Sequence, residues 1–454
     1  MRAKRRLVVA FAVTAILATA CGTDAEPGTS AAAAASSPGG SSTTLPAATT
    51  VPMSGDLVRA DVPRQTVTDV TDAELAALVA GNTEFAFDLF HAAAAGDNLL
   101  ISPYSVAAAL TMTYAGARGP TAEEMRAALA LGLADDRIHS GRNELDLHIS
   151  AEPEPSPEDD REPFAIRVAN SLWGQAGYPF LDEFLALLAE NYDAGMNLVD
   201  FQVAADDARQ EINEWVEDRT ERRIVDLIPS GVITELTRLV VVNAIWFKAN
   251  WAEQFEPSLT TDGRFATLGG ADVTVPMMHG GGRFLHASGE GFQVVRIPYA
   301  GGASMVVVVP DEGRYHEIVT AFGPIELTAV LRAADTRQVE LTMPRFEFRS
   351  ELALKPMLED LGMSTAFKDP LAADGADLTG MTERRQLFVQ EVVHQAFITV
   401  DEQGTEAAAA TAVVVGVTSA SEPAVVTLDR PFLFLIQHDD TGEVLFVGQV
   451  TDPS

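Results

Sequence analysis
Apolar residues fall at two different spacings along this chain, and the spacing changes about half-way. DAELAALVAGNTEFAFDLFHAAAA (72–95) sets Leu75, Leu78, Val79, Phe85, Phe87 and Phe90 at helical intervals. SPYSVAAALTMTYAGA (102–117) opens with Ser102 as an N-cap and Pro103 at the first helical position, so it also predicts a helix. AADDARQEINEWVEDRTERRIVDLI (204–228) predicts an amphipathic helix followed by a turn. Strand patterns then take over at 238–247, 292–300, 304–310, 338–348, 395–402 and 432–438, with one further helix at 351–362. Helices early and long strands late predict a single α+β domain of about 390 residues, built on large sheets in more than one packed layer.

One segment near the end does not fit a simple reading. DEQGTEAAAATAVVVGVTSASEP (401–423) is apolar enough for a buried strand, yet polar residues enter and leave it. Counting in twos from Thr405 puts Ala407, Ala409, Thr411, Val413 and Val415 with it on one face, all small or β-branched and uncharged. Glu406 falls on the other face, so the first face meets a core without burying a charge. Gly404 just before it accepts a backbone reversal that other residues resist. The pattern suits either an ordinary buried edge strand or a segment outside a sheet in one state and inside it in another.

Composition adds an address and removes several partners. The chain has 454 residues and a formal charge of −34, which excludes nucleic acid as a partner because phosphates need a basic surface. MRAKRRLVVAFAVTAILATAC reads as a secretory signal: a basic start, an apolar run over 7–17, then small residues. LATAC at 17–21 resembles a bacterial lipobox, with Cys21, the single cysteine, as the residue lipidated. Cutting there removes four basic and no acidic residues, taking the formal charge from −34 to −38. Residues 22–64 are rich in Ala, Ser, Thr and Pro and predict a disordered tether, spanning roughly 35 Å as a flexible coil. The expected organisation is thus a signal with lipobox at 1–21, a tether at 22–64 and the folded domain at 65–454. The expected location is outside the cell, lipid-anchored to the outer face of the bacterial membrane. The acidic stretch 151–162 predicts an exposed loop.

No catalytic constellation is present. HGGG at 279–282 imitates the oxyanion loop of lipases, but the Gly-x-Ser-x-Gly elbow it requires is missing, and a turn after VTVPMM is expected instead. There is no HExxH, no paired CxxC and no Walker loop, so no metal and no cofactor is expected. His394 reads as a buried, hydrogen-bonded polar group.

Against this background the chain resembles the serpins, a family of suicide protease inhibitors. The resemblance runs over 70–454 and rests on NLLISPYSVAAALTMTYAGARGPTAEEM (98–125), INEWVEDRTERRIVDLI (212–228), VVVNAIWFKANWAEQF (240–255), IPYAGGASMVVVVPDEG (297–313), MPRFEF (343–348), VVHQAFITVDEQGTEAAAAT (392–411), DRPFLFLI (429–436) and LFVGQVTDPS (445–454). It implies an exposed reactive centre loop at about 402–424, offered as bait to a serine protease. Once the covalent acyl-enzyme forms, the cut loop inserts into the main sheet and the enzyme is trapped. Glu402, Gly404, Thr405, Ala407, Ala408, Ala409, Ala410 and Thr411 are similar to the hinge of inhibitory members. The family spacing from Glu402 puts the reactive bond between Thr418 and Ser419, with Val417 and Ala420 the next candidates. Their small side chains imply an elastase-like target, or a subtilisin-like one as second choice. Ser102, Ser105, Asn243 and His394 match the family's polar shutter, while Trp251 and Lys248 match the breach where the loop first enters. The resemblance implies a native monomer able to form loop-sheet polymers. The alternative function is a non-inhibitory serpin acting as a binding or chaperone protein at the cell surface.

Overall fold
Helix Asp72–Ala93 starts at a capping box: the Thr71 hydroxyl accepts from the Glu74 N–H, and the Glu74 carboxylate accepts from the Thr71 N–H. Helix Pro103–Tyr114 is capped by the Ser102 hydroxyl with Pro103 at its first position, as its sequence predicts. It is buried on almost every face, because it lies between two sheets and touches strands of both. The computed structural model describes residues 53, 55–151, 165–405 and 422–454, all within one unit spanning 50–454.

The first sheet has seven strands in the order Leu57–Val58, Met196–Val199, Ala165–Gln175, Leu239–Asn250, Gly404–Thr405, Glu391–Val400 and Phe346–Ala353. The second has nine. Eight follow the order Ala424–Thr427, Asp335–Pro344, Asp272–Gly289, Phe292–Pro298, Ala303–Pro310, Phe432–His438, Val444–Val450 and Leu99–Ile101; Thr261–Ala266 pairs with Asp272–Gly289 off that path. Helix Ala205–Arg219 covers the outer face of the first sheet. Its Ala208, Ile212 and Val216 share a buried cluster with Ala169, Val240, Val242, Ala244 and Val393. The architecture is α+β, as the pattern of early helices and late strands predicts.

Four local expectations are corrected. The single strand expected at 338–348 is two strands in different sheets, because Pro344 ends the first and Arg345 turns the chain into the second. That second strand runs on to Ala353, so the helix expected from 351 is only Lys355–Asp360. HGGG is not a turn: it lies inside the 18-residue strand Asp272–Gly289. There the glycines permit close approach, since a Cβ on Gly281 would fall 2.2 Å from the Val339 carbonyl oxygen of the next strand. Finally, Leu57 and Val58, assigned by composition to the tether, pair antiparallel with Asn197 and Met196 at the sheet edge. Cys21 and the rest of 1–52 lie outside the described residues, as does most of the acidic 151–162 stretch.

Candidate functional site
The seam between Leu239–Asn250 and Glu391–Val400 is where sequence and topology converge. These two strands run parallel and pair directly from Val240 opposite Glu391 to Trp246 opposite Phe397. Beyond that point they part, and Gly404–Thr405 sits between them, antiparallel to both. Thr405 lies opposite Val400 on one side and Ala249 on the other, while Gly404 lies opposite Asn250. Glycine is required here: its φ is +157°, and a Cβ would fall 2.0 Å from the Ala249 carbonyl oxygen.

The chain reaches this wedge through a tight reversal that aromatic and charged groups hold in place. The Asp401 carboxylate accepts from the N–H groups of Gln403 and Gly404 at 2.8 and 3.2 Å. Trp251 is fully buried; its indole N–H donates to the Asp401 carbonyl at 2.9 Å and its backbone N–H to the Gln403 carbonyl at 2.8 Å. Its ring stacks on Tyr299 with centroids 4.3 Å apart, and the Tyr299 hydroxyl bonds the Thr405 hydroxyl at 2.8 Å. Thr405 therefore faces inward. Lys248 lies three residues before Trp251, within Leu239–Asn250 and opposite Ala165.

Glu402 is the charged anchor of the turn. Its carboxylate is 4% exposed and receives Arg345 and the Thr260 hydroxyl. Burial opposes its ionisation, but the bonds from Arg345 and Thr260 outweigh this and hold the carboxyl below its ordinary range.

A polar cluster lies further down the seam. Asn243 and His394 are direct partners in the parallel register, and Asn170 lies opposite Asn243 on the next strand. The Ser102 N–H donates to His394 Nε2 at 3.2 Å, so Nδ1 carries the ring proton and donates to Asn243 Oδ1. The Asn243 amide donates to Ser105 Oγ at 2.7 Å and to Asn170 Oδ1 at 2.5 Å, and Ser105 Oγ donates to Asn170 Oδ1 at 3.0 Å. Ser102 Oγ donates to the Leu445 carbonyl at 2.7 Å, tying the cluster to the second sheet. Burial lowers the His394 pKa from 6.5 to about 3, so the ring is neutral at physiological pH.

The structure thus brings together Ser102, Ser105, Asn243 and His394 in one cluster, and Trp251, Glu402, Gly404 and Thr405 in another. Ala407, Ala408, Ala409, Ala410, Thr411, Val417, Thr418, Ser419 and Ala420 lie outside the described residues. Sequence reasoning missed Asn170, Arg345 and Tyr299. An asparagine inside the apolar VANSLW (168–173) is the same signal that singled out His394, a polar group where only apolar ones are expected.

The sequence profile described as Serpin (serine protease inhibitor) matches residues 80–453. The chain belongs to the serpin family. An uncharacterized serpin-like protein of Thermococcus kodakarensis is 38% identical over 374 residues, covering 81% of this chain and 84% of that one. The leukocyte elastase inhibitor of Homo sapiens is 34% identical over 391 residues, covering 83% of this chain and 99% of its own. Among solved structures, the thermophilic serpin tengpin in its native state gives a TM-score of 0.73 at 26% identity, covering 87% of this serpin and 97% of tengpin. Human thyroxine-binding globulin gives 0.73 at 28%, covering 84% and 100%.

Proposed function
We propose that this serpin is a suicide inhibitor of an elastase-like serine protease, acting by insertion of its cleaved loop between Leu239–Asn250 and Glu391–Val400. The observation that carries this reading is the two-residue strand Gly404–Thr405, already seated where those strands part. Insertion exchanges one parallel ladder for two antiparallel ones, which are the more stable per residue. It also gives every backbone group of the new strand a partner.

The register makes the end point specific. Thr405 opposes Ala249 and Val400, so each residue further along the loop opposes one residue earlier in both strands. Six residues on, Thr411 would stand between Asn243 and His394. On insertion the small, uncharged face of Thr405, Ala407, Ala409 and Thr411 would be the face turned to the core. A strand spacing of about 4.8 Å on each side separates Asn243 from His394 and breaks their bond. Thr411 is the one hydroxyl between Glu406 and Val417, and it arrives where both need a new partner. Before insertion, the His394–Asn243 bond holds the seam closed below the wedge, and the Trp251–Tyr299 stack holds the reversal above it. Native structure is then protected by a barrier rather than by being the most stable arrangement.

In the reaction, the protease serine attacks the Thr418 carbonyl carbon, the bond to Ser419 breaks, and the Ser419 nitrogen leaves with the proton. Insertion then carries off the ester-linked enzyme before water completes hydrolysis. Small residues at 417–420 suit a shallow specificity pocket, and relatives named leukocyte elastase inhibitor support that choice. Mixing the chain with elastase and with trypsin tests this: a detergent-stable band near the summed masses is expected with elastase and not with trypsin. Cleavage by elastase without such a band would favour a non-inhibitory binding or chaperone role.

We also propose that Cys21 is lipidated and that the following segment tethers the inhibitor at the outer membrane face, where it meets foreign or self-secreted proteases. The LATAC motif supports this. Partition into the detergent phase of Triton X-114, abolished by Cys21→Ala, is the expected result; a freely soluble parent protein would overturn it.

A further inference from the structure
At the opposite edge of the first sheet from Phe346–Ala353, helix Ala205–Arg219 and the edge strands line a half-open cavity of about 180 Å³. That is room for about six waters. Its walls are two indoles, Trp173 and Trp215, two carboxylates, Asp56 and Glu211, and the apolar Leu57 and Leu198; among the described residues no basic side chain lines it. The indoles stand edge to face, 85° apart with centroids at 5.9 Å. Trp173 is buried and Trp215 and Glu211 are half-buried. Glu211 has no hydrogen-bond or ion-pair partner among the described residues, although burial and the neighbouring Glu214 both disfavour its charge. The electrostatic need at this place is therefore a positive charge. Arg219 stacks over Trp215 with its guanidinium carbon 4.9 Å from the ring centre, so one face of this ring already holds a cation.

We propose that this cavity is a binding site for a small alkylated ammonium group, held by cation–π contact with Trp173 and Trp215 and by the Glu211 carboxylate. Indole walls favour this class over other cations. A metal ion needs six or more oxygen ligands to replace its water shell; the walls supply two carboxylates, and the indoles supply none. A quaternary ammonium is weakly hydrated and gains from aromatic faces. The strand Leu57–Val58 contributes one wall, so the site depends on the pairing of these two residues with Met196–Val199. The site stands apart from the insertion seam, and the proposal does not depend on the inhibitory reading.

Isothermal titration of the full chain with tetramethylammonium and with choline is the test, with the uncharged isostere 3,3-dimethylbutanol as control. Saturable binding of both cations is expected, with no binding of the isostere. Glu211→Gln, at a partly exposed helix position, is expected to weaken it roughly tenfold with an unchanged melting temperature. Two sources of the group are separated by flotation with phosphatidylcholine vesicles. Co-flotation that free choline reverses assigns a lipid head group, while choline binding without co-flotation assigns a free solute. No heat with either cation, or equal binding of the isostere, overturns the proposal without reference to any variant.

Discussion

Replacing Thr411 by valine tests the inserted register without touching the native contacts described above. Valine keeps the β-branched shape and removes only the hydroxyl. In the native seam His394 and Asn243 bond each other and have no need of residue 411. In the proposed inserted sheet they would stand two strand spacings apart, and the Thr411 hydroxyl would be the group that meets them. Its loss leaves a buried polar group unpaired, at about 1–3 kcal/mol. A body of ~400 residues unfolds with an entropy near 0.8 kcal/mol per degree, so this is a fall of about 1–4 °C. The expected result is an unchanged melting temperature for intact Thr411→Val and a fall of that size for the loop-cleaved form. Partition between covalent complex and plain cleavage shifts towards cleavage. If the cleaved variant melts with the cleaved parent, Thr411 does not arrive between Asn243 and His394 and the register argument fails.

Three further outcomes follow from groups around the seam and core. His394→Ala removes the acceptor of the buried Ser102 N–H and the donor to Asn243, bonds that must break for the seam to open. The opening barrier falls by about 1–3 kcal/mol, so heat-induced polymerisation runs about 5- to 150-fold faster; an unchanged rate would contradict a gate at this cluster. Arg345→Ala leaves the buried Glu402 carboxylate with Thr260 as its remaining side-chain partner. Arg345 is itself 44% exposed, so the expected loss is only about 1–2 kcal/mol, read as a lower urea midpoint and faster proteolysis at 401–405. Glu443, fully buried against Asn82, has its pKa pushed up from 4.5 to about 7 by burial, which Arg142 and the Asn82 bond only partly offset. The native state then holds a proton that the unfolded state releases, so this group's contribution is present below pH 4.5 and lost as pH rises to about 7. Glu443→Gln should match the parent at pH 4.5 and exceed it by about 3 kcal/mol above pH 7. A parent-minus-variant difference that does not change with pH would refute the assignment.

Local signals in the chain located what local physics decides. Ser102 and Pro103 start their helix because a cap and a fixed φ need no distant partner. The small-residue face after Gly404 announced a segment suited to a sheet interior, and Thr405 is found there. Partners across strands were less legible. Asn170 belongs to the His394 cluster only through the register of Ala165–Gln175 against Leu239–Asn250, which spacing within either strand does not encode. Apolar and polar residues alternate on both sides of Pro344, Val339, Leu341 and Met343 before it and Phe346 and Phe348 after it, so 338–348 reads as one strand and conceals the change of sheet at Pro344 and Arg345. HGGG reads as a turn because glycine is a turn residue in isolation; its place in a strand depends on the backbone of Asp335–Pro344 beside it. Leu57 and Val58 lie in a composition typical of tethers, and two apolar residues are too short a run to announce an edge strand.

We propose that the loop, once cut, enters the seven-stranded sheet as a full strand. The most direct measurement is thermal unfolding of the chain before and after a single cleavage within 412–421, made with any protease that cuts there. Insertion adds about one further ladder of hydrogen bonds and buries the face of Thr405, Ala407, Ala409 and Thr411, so the melting temperature should rise by about 10 °C or more. A cleaved chain that melts at or below the temperature of the intact one would mean that the wedge at Gly404–Thr405 goes no further, and would contradict the account.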